Sequence, residues 1–216
     1  MSVGSALRSA LGDTYRSSWR LLVVNSAVSA VICAVVLVVS AFPLVLLVAP
    51  VLAGPVAAAL VYCVVMLIHD GSFEFSDALN GLRRFWRQGF ALGAMFGAAL
   101  LLGALAVSFY SSEGHRALPL AVLSAYVVAI VCLILLVAWP LAIGEPERGL
   151  GDALRRAWLL ALHAPLRLFM LGSVLLVVNV AGAVTVLPLL TLTIAYSFLA
   201  TARVVLPVPT LEEVTT

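Results

Sequence analysis

Residues 21–68, LLVVNSAVSAVICAVVLVVSAFPLVLLVAPVLAGPVAAALVYCVVMLI, contain no Asp, Glu, Lys, Arg or His. A single helix of this length would measure about 72 Å, whereas the hydrocarbon core of a bilayer is about 30 Å thick. The stretch is therefore too long for one crossing. We predict two spans within it, at residues 21–42 and 44–68, separated by a turn at Pro43.

The composition of the whole chain indicates a membrane protein. Of its 216 residues, 64% are hydrophobic and only 10% are charged, and the mean hydropathy is +1.19. A soluble domain is about half apolar and a quarter charged, so this chain has too little charge to cover a surface that faces water. We predict an all-α, polytopic transmembrane bundle of about six spans, arranged as three hairpins in a single domain over residues 1–216.

Four further spans are predicted after residue 68. Residues 89–141 hold spans three and four, and residues 166–206 hold spans five and six, with a tight turn near residues 184–188. Span three is expected at residues 89–110 and span four at residues 118–141. The segments predicted to lie outside the bilayer are residues 1–20, 69–88, 142–165 and 207–216.

The arginines indicate how these spans are oriented. All twelve basic residues are Arg, and on the six-span arrangement every one except Arg116 lies on the same side. Basic residues in short loops concentrate on the cytoplasmic side of a membrane, so we predict that both termini are cytoplasmic. Because this pattern records topology, we expect the lipid bilayer as a partner and no nucleic acid.

A short amphipathic stretch precedes each predicted hairpin. Similar strings begin at Ser5, Asp77 and Asp152, at nearly equal spacing along the chain. A true threefold repeat and a chance similarity in an Ala- and Leu-rich sequence both account for this pattern. We predict that each stretch forms a short helix lying in the membrane interface, before spans one, three and five.

The second and third stretches carry the predicted interfacial anchors. In the second, Ser76 is the expected N-cap, and apolar residues from Phe75 to Trp86 recur at helical spacing with arginines beside them. Such a face either fixes the height of the loop in the membrane or binds a partner, and we favour the first interpretation. The predicted anchors are Arg83, Arg84, Trp86, Arg87, Arg155, Arg156 and Trp158.

A ridge of small residues runs along span three. Gly89, Gly93 and Gly97 recur at intervals of four residues, which allows another helix to approach closely. We expect this ridge to pack inside the bundle. A contact face between two copies of the chain is the alternative.

Prolines and amides mark the candidates for a kink or a lined cavity. A proline interrupts the backbone hydrogen bonds of a helix, an amide in an apolar helix usually bonds across to another helix, and broken helices flank the binding sites of many transporters. The candidates are Asn25, Gly54, Pro55, Tyr62, Trp139, Pro140 and Asn179.

The sequence holds no recognisable catalytic or metal-binding pattern. The three histidines stand alone, the three cysteines lie in apolar stretches at spacings unlike those of zinc or redox motifs, and every charged residue maps to a loop or to the end of a span. We therefore expect no enzymatic activity, no cofactor and no metal.

Several segments together resemble the YesL-like family of uncharacterised bacterial integral membrane proteins. They are Trp19 to Asn25, Pro43, the stretch from Gly54-Pro55 to Tyr62, residues 73–86 and residues 140–158. The resemblance covers about residues 13–205 and departs from the family at residues 26–30, where bulkier aromatic residues are expected.

The resemblance implies a location and a role. Members of the family lie in the bacterial cytoplasmic membrane and are often encoded beside components of sugar ABC transporters, which implies an accessory or assembly role with ABC-transporter subunits as partners. It supplies no catalytic residues. The proline kinks and hydroxyl-bearing spans suggest the alternative, a transporter or channel for a neutral or amphipathic small solute.

Overall fold

The computed structural model describes residues 3–16, the single positions 23, 26 and 30, residues 45–185 and residues 193–206. Every regular element among them is a helix. Seven α-helices are named in chain order: α1 Val3–Arg16, α2 Val45–Asp70, α3 Phe75–Ser112, α4 Leu118–Gly144, α5 Gly149–His163, α6 Pro165–Thr185 and α7 Ile194–Val205. Short 3₁₀ turns at His115–Ala117 and Pro146–Arg148 precede α4 and α5.

Three of these helices are long and apolar enough to cross a membrane. They are α2 (counted over Ala49–Asp70), α3 and α4, and the bent pair of α5 and α6 makes up to four. The chain is thus all-helical and fit for a bilayer, but the described residues do not establish six spans. All but three positions of the predicted span at 21–42 and most of the turn at 184–188 lie outside them, and the 12 residues of α7 measure only about 18 Å.

Helices α2 and α3 form an antiparallel hairpin. The ring of Tyr62 lies beside Gly81, and the ring of Pro50 lies beside Gly97. The end of α2 thus meets the beginning of α3, and the beginning of α2 meets a later turn of α3. Gly71 occupies the connection at a φ of 71°, a conformation that suits a residue without a Cβ. This hairpin joins the segments predicted as spans two and three, which the three-hairpin arrangement had assigned to different hairpins.

The structure corrects the predicted interfacial helix before span three. Helix α3 runs without a break from Phe75 to Ser112 over 38 residues, or about 57 Å. A segment that continues directly into a span cannot lie flat in the membrane interface, so the prediction of a separate helix at residues 75–88 is wrong. The predicted N-cap is also wrong, because Glu74 caps the helix and its backbone N–H donates to Asp77 Oδ2 at 2.7 Å.

The third amphipathic stretch does form a separate helix. Helices α5 and α6 meet at Ala164, and the chain bends there by 102°, measured between Pro146–His163 and Pro165–Ala181. Pro165 explains the break, because a proline lacks the N–H that would continue the helix and disfavours helical geometry in the residue before it. Ala164 accordingly has φ −135° and ψ 54°.

The two ends of the bundle differ in their charge. Trp139 of α4 contacts Phe198 of α7, and Gly144 lies beside Leu206, so α4 and α7 run in parallel toward one end. The α2–α3 connection and the α4–α5 connection lie at this end, which we call the arginine-rich end. The turn between α3 and α4, with Arg116, lies at the opposite end, which we call the Arg116 end.

The protein core lies toward the arginine-rich end. The second half of α2, the second half of α4 and nearly all of α7 are buried against one another, and Ala10 of α1 and Phe73 join them. Toward the Arg116 end the helices expose large apolar side chains instead. Those on α3 and α4 include Leu102, Leu105, Phe109, Val122, Leu123 and Tyr126. Lipid, unlike water, tolerates such a surface.

Candidate functional site

The predicted glycine ridge packs against α2. A Cβ on Gly89 would lie 2.8 Å from the carbonyl oxygen of Gly54 and 2.8 Å from Pro55 Cα, and a Cβ on Gly93 would meet the carbonyl oxygen of Pro50. These neighbours are backbone atoms that cannot rotate away, so the spacing between the two helices requires glycine. The structure extends the ridge to Gly81, which the sequence analysis had not included.

Most of the predicted kink and cavity residues lie in the packed core. Gly54 and Pro55 contact α3, and helix α2 continues through both of its prolines. Tyr62 packs against Phe85 with ring centroids 5.5 Å apart, and Trp139 and Pro140 are buried on α4. Asn25 lies outside the described residues. Of these candidates, Asn179 alone lines the cavity described below.

The anchors predicted on α3 are exposed. Arg83, Arg84, Trp86 and Arg87 all face outward, and the guanidinium of Arg87 lies 5.2 Å from the ring centroid of Trp86. Arg84 lies similarly 5.4 Å from the ring of Phe85, which is buried against α2. Three arginines and Trp86 therefore share the outer surface in the third and fourth turns of α3.

The anchors predicted on α5 divide into two kinds. Trp158 and Arg155 are exposed, on the side opposite to Ala153 and Ala157, which are buried against the bundle. Arg156 instead donates to Glu145 Oε2 at 2.6 Å, so its guanidinium is paired within the protein. The apolar residues Trp158, Leu159 and Leu162 are exposed, in agreement with a face available to lipid.

A groove of about 390 Å³ lies between α4 and α6, with Phe96 of α3 contributing to its wall. We call it the α4–α6 groove. Gly172 of α6 lies against Leu133 of α4, where an added Cβ would be 2.7 Å from the leucine methyl groups. Because the helices run in opposite directions, this contact places Tyr126 level with Asn179, and Leu136 level with Phe169. All four residues line the groove.

The side-chain amide of Asn179 has a fixed orientation. Its Nδ2 donates to the carbonyl oxygen of Leu175 at 2.7 Å and to Ser197 Oγ at 2.9 Å. Since a backbone carbonyl can only accept, the atom facing Leu175 must be the NH₂ group. Ser197 Oγ in turn donates to the carbonyl oxygen of Thr193 at 2.8 Å, so it accepts from Asn179. Both amide hydrogens are used, and among the residues that the structure describes none donates to Oδ1.

Among the lining residues that the structure describes, the groove is otherwise apolar and none is charged. Its other lining residues with polar atoms are Tyr126, Cys132 and Ser173. No group of three or more His, Cys, Asp or Glu that could hold a metal ion occurs in the part of the chain that the structure describes. The groove can therefore accommodate an apolar molecule with a small number of neutral hydrogen-bonding groups.

Sequence reasoning missed most of this groove. Tyr126, Cys132 and Ser173 were not selected, because each looks like an ordinary residue in an apolar helix. A weak signal did exist, since the adjacent Gly172 and Ser173 interrupt a run of bulky residues on α6.

No protein-family model, curated protein or solved structure matches this chain. The resemblance to the YesL-like family therefore has no support from these comparisons.

Proposed function

We propose that this chain is a non-catalytic, multi-pass protein of the bacterial cytoplasmic membrane that serves as an accessory or assembly component of carbohydrate ABC transport. The proposal that the protein is non-catalytic rests on where ionisable residues lie in the apolar helices. Within α2, α4 and α6 no Asp, Glu, Lys, Arg or His lies away from the helix ends, whereas ion-coupled carriers and intramembrane enzymes keep such groups in the membrane because the chemistry needs them.

The proposed orientation follows from the arginines. Eleven of the twelve belong to segments proposed to face the cytoplasm, and only Arg116 belongs to the opposite side. On this orientation the arginine-rich end, both termini, the α2–α3 connection and helix α5 are cytoplasmic. The exposed Trp86 and Trp158 then lie at the level of the inner headgroups, where amphipathic rings are favoured.

The partner is proposed on the resemblance alone. The test is purification of the tagged chain in mild detergent from cells grown on different sugars, followed by mass spectrometry of the associated proteins. We expect permease subunits of a sugar ABC transporter to copurify on at least one sugar. Recovery of the chain alone on every sugar would contradict the proposed role.

A matched pair of variants would locate the contact. If the exposed apolar face of α5 binds the partner, Trp158→Ala with Leu162→Ala reduces copurification, since both side chains are exposed. The control is Leu102→Ala with Leu105→Ala on α3. It truncates two apolar residues of similar exposure elsewhere and should leave copurification unchanged. Loss in both variants would indicate a general effect on solubilisation.

A transporter or channel for a neutral or amphipathic solute is the second candidate function. The α4–α6 groove favours it, because an uncharged groove with an available acceptor resembles part of a solute path. Purified protein in liposomes should then mediate flux of at least one member of a panel of neutral sugars, polyols and amphipaths. Absence of flux across the panel would remove this candidate.

A further inference from the structure

The α4–α6 groove has the dimensions of a single hydrocarbon chain. It extends from Tyr126 to Leu136 on α4 and from Phe169 to Asn179 on α6, in each case about 15 Å along the helix axis. This length is about half the thickness of a bilayer core. Apart from a few polar atoms, the wall is formed by aliphatic and aromatic side chains.

The groove has a polar end and an apolar end. The contact of Gly172 with Leu133 sets the register of the two helices and brings Tyr126 and Asn179 to the same level, toward the Arg116 end. Leu136 and Phe169 share the level toward the arginine-rich end. A bound molecule would therefore have its polar group beside Tyr126 and Asn179 and its apolar part beside Leu136 and Phe169.

The polar end specifies the chemistry of that group. Both hydrogens of Asn179 Nδ2 are engaged, by Leu175 and Ser197, so Asn179 can only accept through Oδ1, which has no donor among the described residues. The phenol of Tyr126 can donate and accept. A hydroxyl group matches this pair, because it can donate to Oδ1 and accept from the phenol. A charged headgroup does not match it, since none of the described lining residues is ionised and could compensate for desolvation.

We propose that the α4–α6 groove binds a neutral long-chain alcohol from the bilayer, with its hydrocarbon chain along α4 and α6 and its hydroxyl donating to Asn179 Oδ1. The groove opens onto apolar surface that α4 and α6 expose, including Ile130 and Leu176. A molecule dissolved in the membrane can thus enter it sideways. This inference stands whether or not the proposed role in ABC transport is correct.

The test is photolabelling of the full-length protein in phosphatidylcholine vesicles with a diazirine derivative of dodecanol. We expect the label in peptides that contain residues 126–136 and 169–179. Unlabelled dodecanol should compete about three- to tenfold better than dodecyl methyl ether, which lacks the donor. Label spread evenly along the exposed faces, or equal competition by alcohol and ether, would overturn the proposal.

Variants separate the groove from the general lipid surface. Ser173→Phe fills the groove and should abolish the localised label, whereas Leu102→Phe adds the same ring at an exposed position of α3 and should not. Asn179→Leu should remove the preference for alcohol over ether. Ser197→Ala breaks the same interhelical hydrogen bond but leaves Oδ1 in place, so the preference should persist. Localised label that survives Ser173→Phe would contradict the assignment.

Discussion

At the scale of single residues, the packing of α2 against α3 depends on the absence of side chains. Gly54 and Gly89 approach so closely that a Cβ on either would meet backbone atoms of the other helix. In a bilayer such contacts contribute much of the association energy, since lipid chains are as apolar as the side chains and burying apolar surface gains little. The glycines therefore act through the close approach that they permit.

Gly89→Ala should destabilise the protein, whereas Gly151→Ala should not. The new methyl group at residue 89 would lie 2.8 Å from backbone atoms of Gly54 and Pro55, an overpacking that costs about 1–3 kcal/mol. At residue 151 of α5 the same substitution meets nothing within 4 Å and removes a flexible residue from a helix, which favours folding by about 0.4–1 kcal/mol. Thermal unfolding in one detergent measures both. Equal shifts in Tm would contradict the packing described for α2 and α3.

Asn179 and Ser197 should be energetically coupled. The hydrogen bond between them joins α6 to α7, and interhelical bonds of this type contribute on average about 0.6 kcal/mol and at most about 1.7 kcal/mol. A double-mutant cycle with Asn179→Ala and Ser197→Ala, followed by unfolding in mixed micelles, measures the coupling. Replacing Thr201, whose hydroxyl donates to the carbonyl oxygen of Ser197 within its own helix, should show no coupling to Asn179.

At the scale of elements, two amphipathic stretches of similar sequence take different courses. Residues 75–88 form the first turns of α3, and the helix continues from them without a proline to Ser112. Helix α5 ends at His163, where Pro165 follows and the chain turns by 102°. A single proline thus decides whether an amphipathic segment continues straight into the next helix or meets it nearly at right angles.

The pair of Arg156 and Glu145 should hold α5 against the end of α4 more strongly than the pair of Arg148 and Glu145. The side chain of Arg156 is 42% exposed and that of Arg148 is 52% exposed, at distances of 2.6 and 2.9 Å from Glu145 Oε2. The contact of Arg156 also joins α5 to the residue that caps the end of α4. Arg156→Met should cost up to about 1 kcal/mol and speed hydrogen exchange of the α5 amides by up to about fivefold.

Arg148→Met is the matched control, because it removes a more exposed contact to the same carboxylate, three residues away in the chain. We expect little change in exchange. If both variants loosen α5 equally, the position of the helix does not depend on the contact between Arg156 and Glu145.

At the scale of the whole molecule, the bundle divides into a packed end and a lipid-facing end. The largest cluster of buried apolar residues lies toward the arginine-rich end, although Trp86 and Trp158 are exposed there. Toward the Arg116 end α3 and α4 expose a broad apolar surface, which is favourable where hydrocarbon surrounds it. The two parts use the same apolar side chains. They differ in whether neighbouring helices or lipid cover them.

The α2–α3 connection and the first turn of α5 should be accessible from the same side of the membrane. We expect Ser72→Cys and Gly151→Cys, in a chain whose native cysteines are replaced by alanine, to react with an impermeant maleimide only after the cytoplasmic side is opened. Glu113→Cys, in the turn at the opposite end, should react in intact cells. All three positions are exposed. Reaction of residues 72 and 151 from opposite sides would refute the proposed orientation.

The sequence predicted the helices better than their contacts. Residues 44–68 and 118–141 were placed as spans, and the structure has α2 at Val45–Asp70 and α4 at Leu118–Gly144. Helical boundaries of this kind follow from local composition, prolines and turn residues. For the α4–α6 groove, by contrast, the sequence indicates Asn179 as a candidate but not Tyr126 or Ser173. The distance between two helices that are far apart in the chain leaves no local pattern in the sequence.

By itself the sequence determined that this protein is helical and suited to a membrane, because the cost of placing uncharged stretches in water is a property of each segment. Only the tertiary structure decided that α3 continues through its amphipathic turns, that Gly89 meets Gly54, and that Asn179 lines the groove while it donates to Ser197 of α7. These features depend on the register between helices, which is fixed by how the packed surfaces fit together.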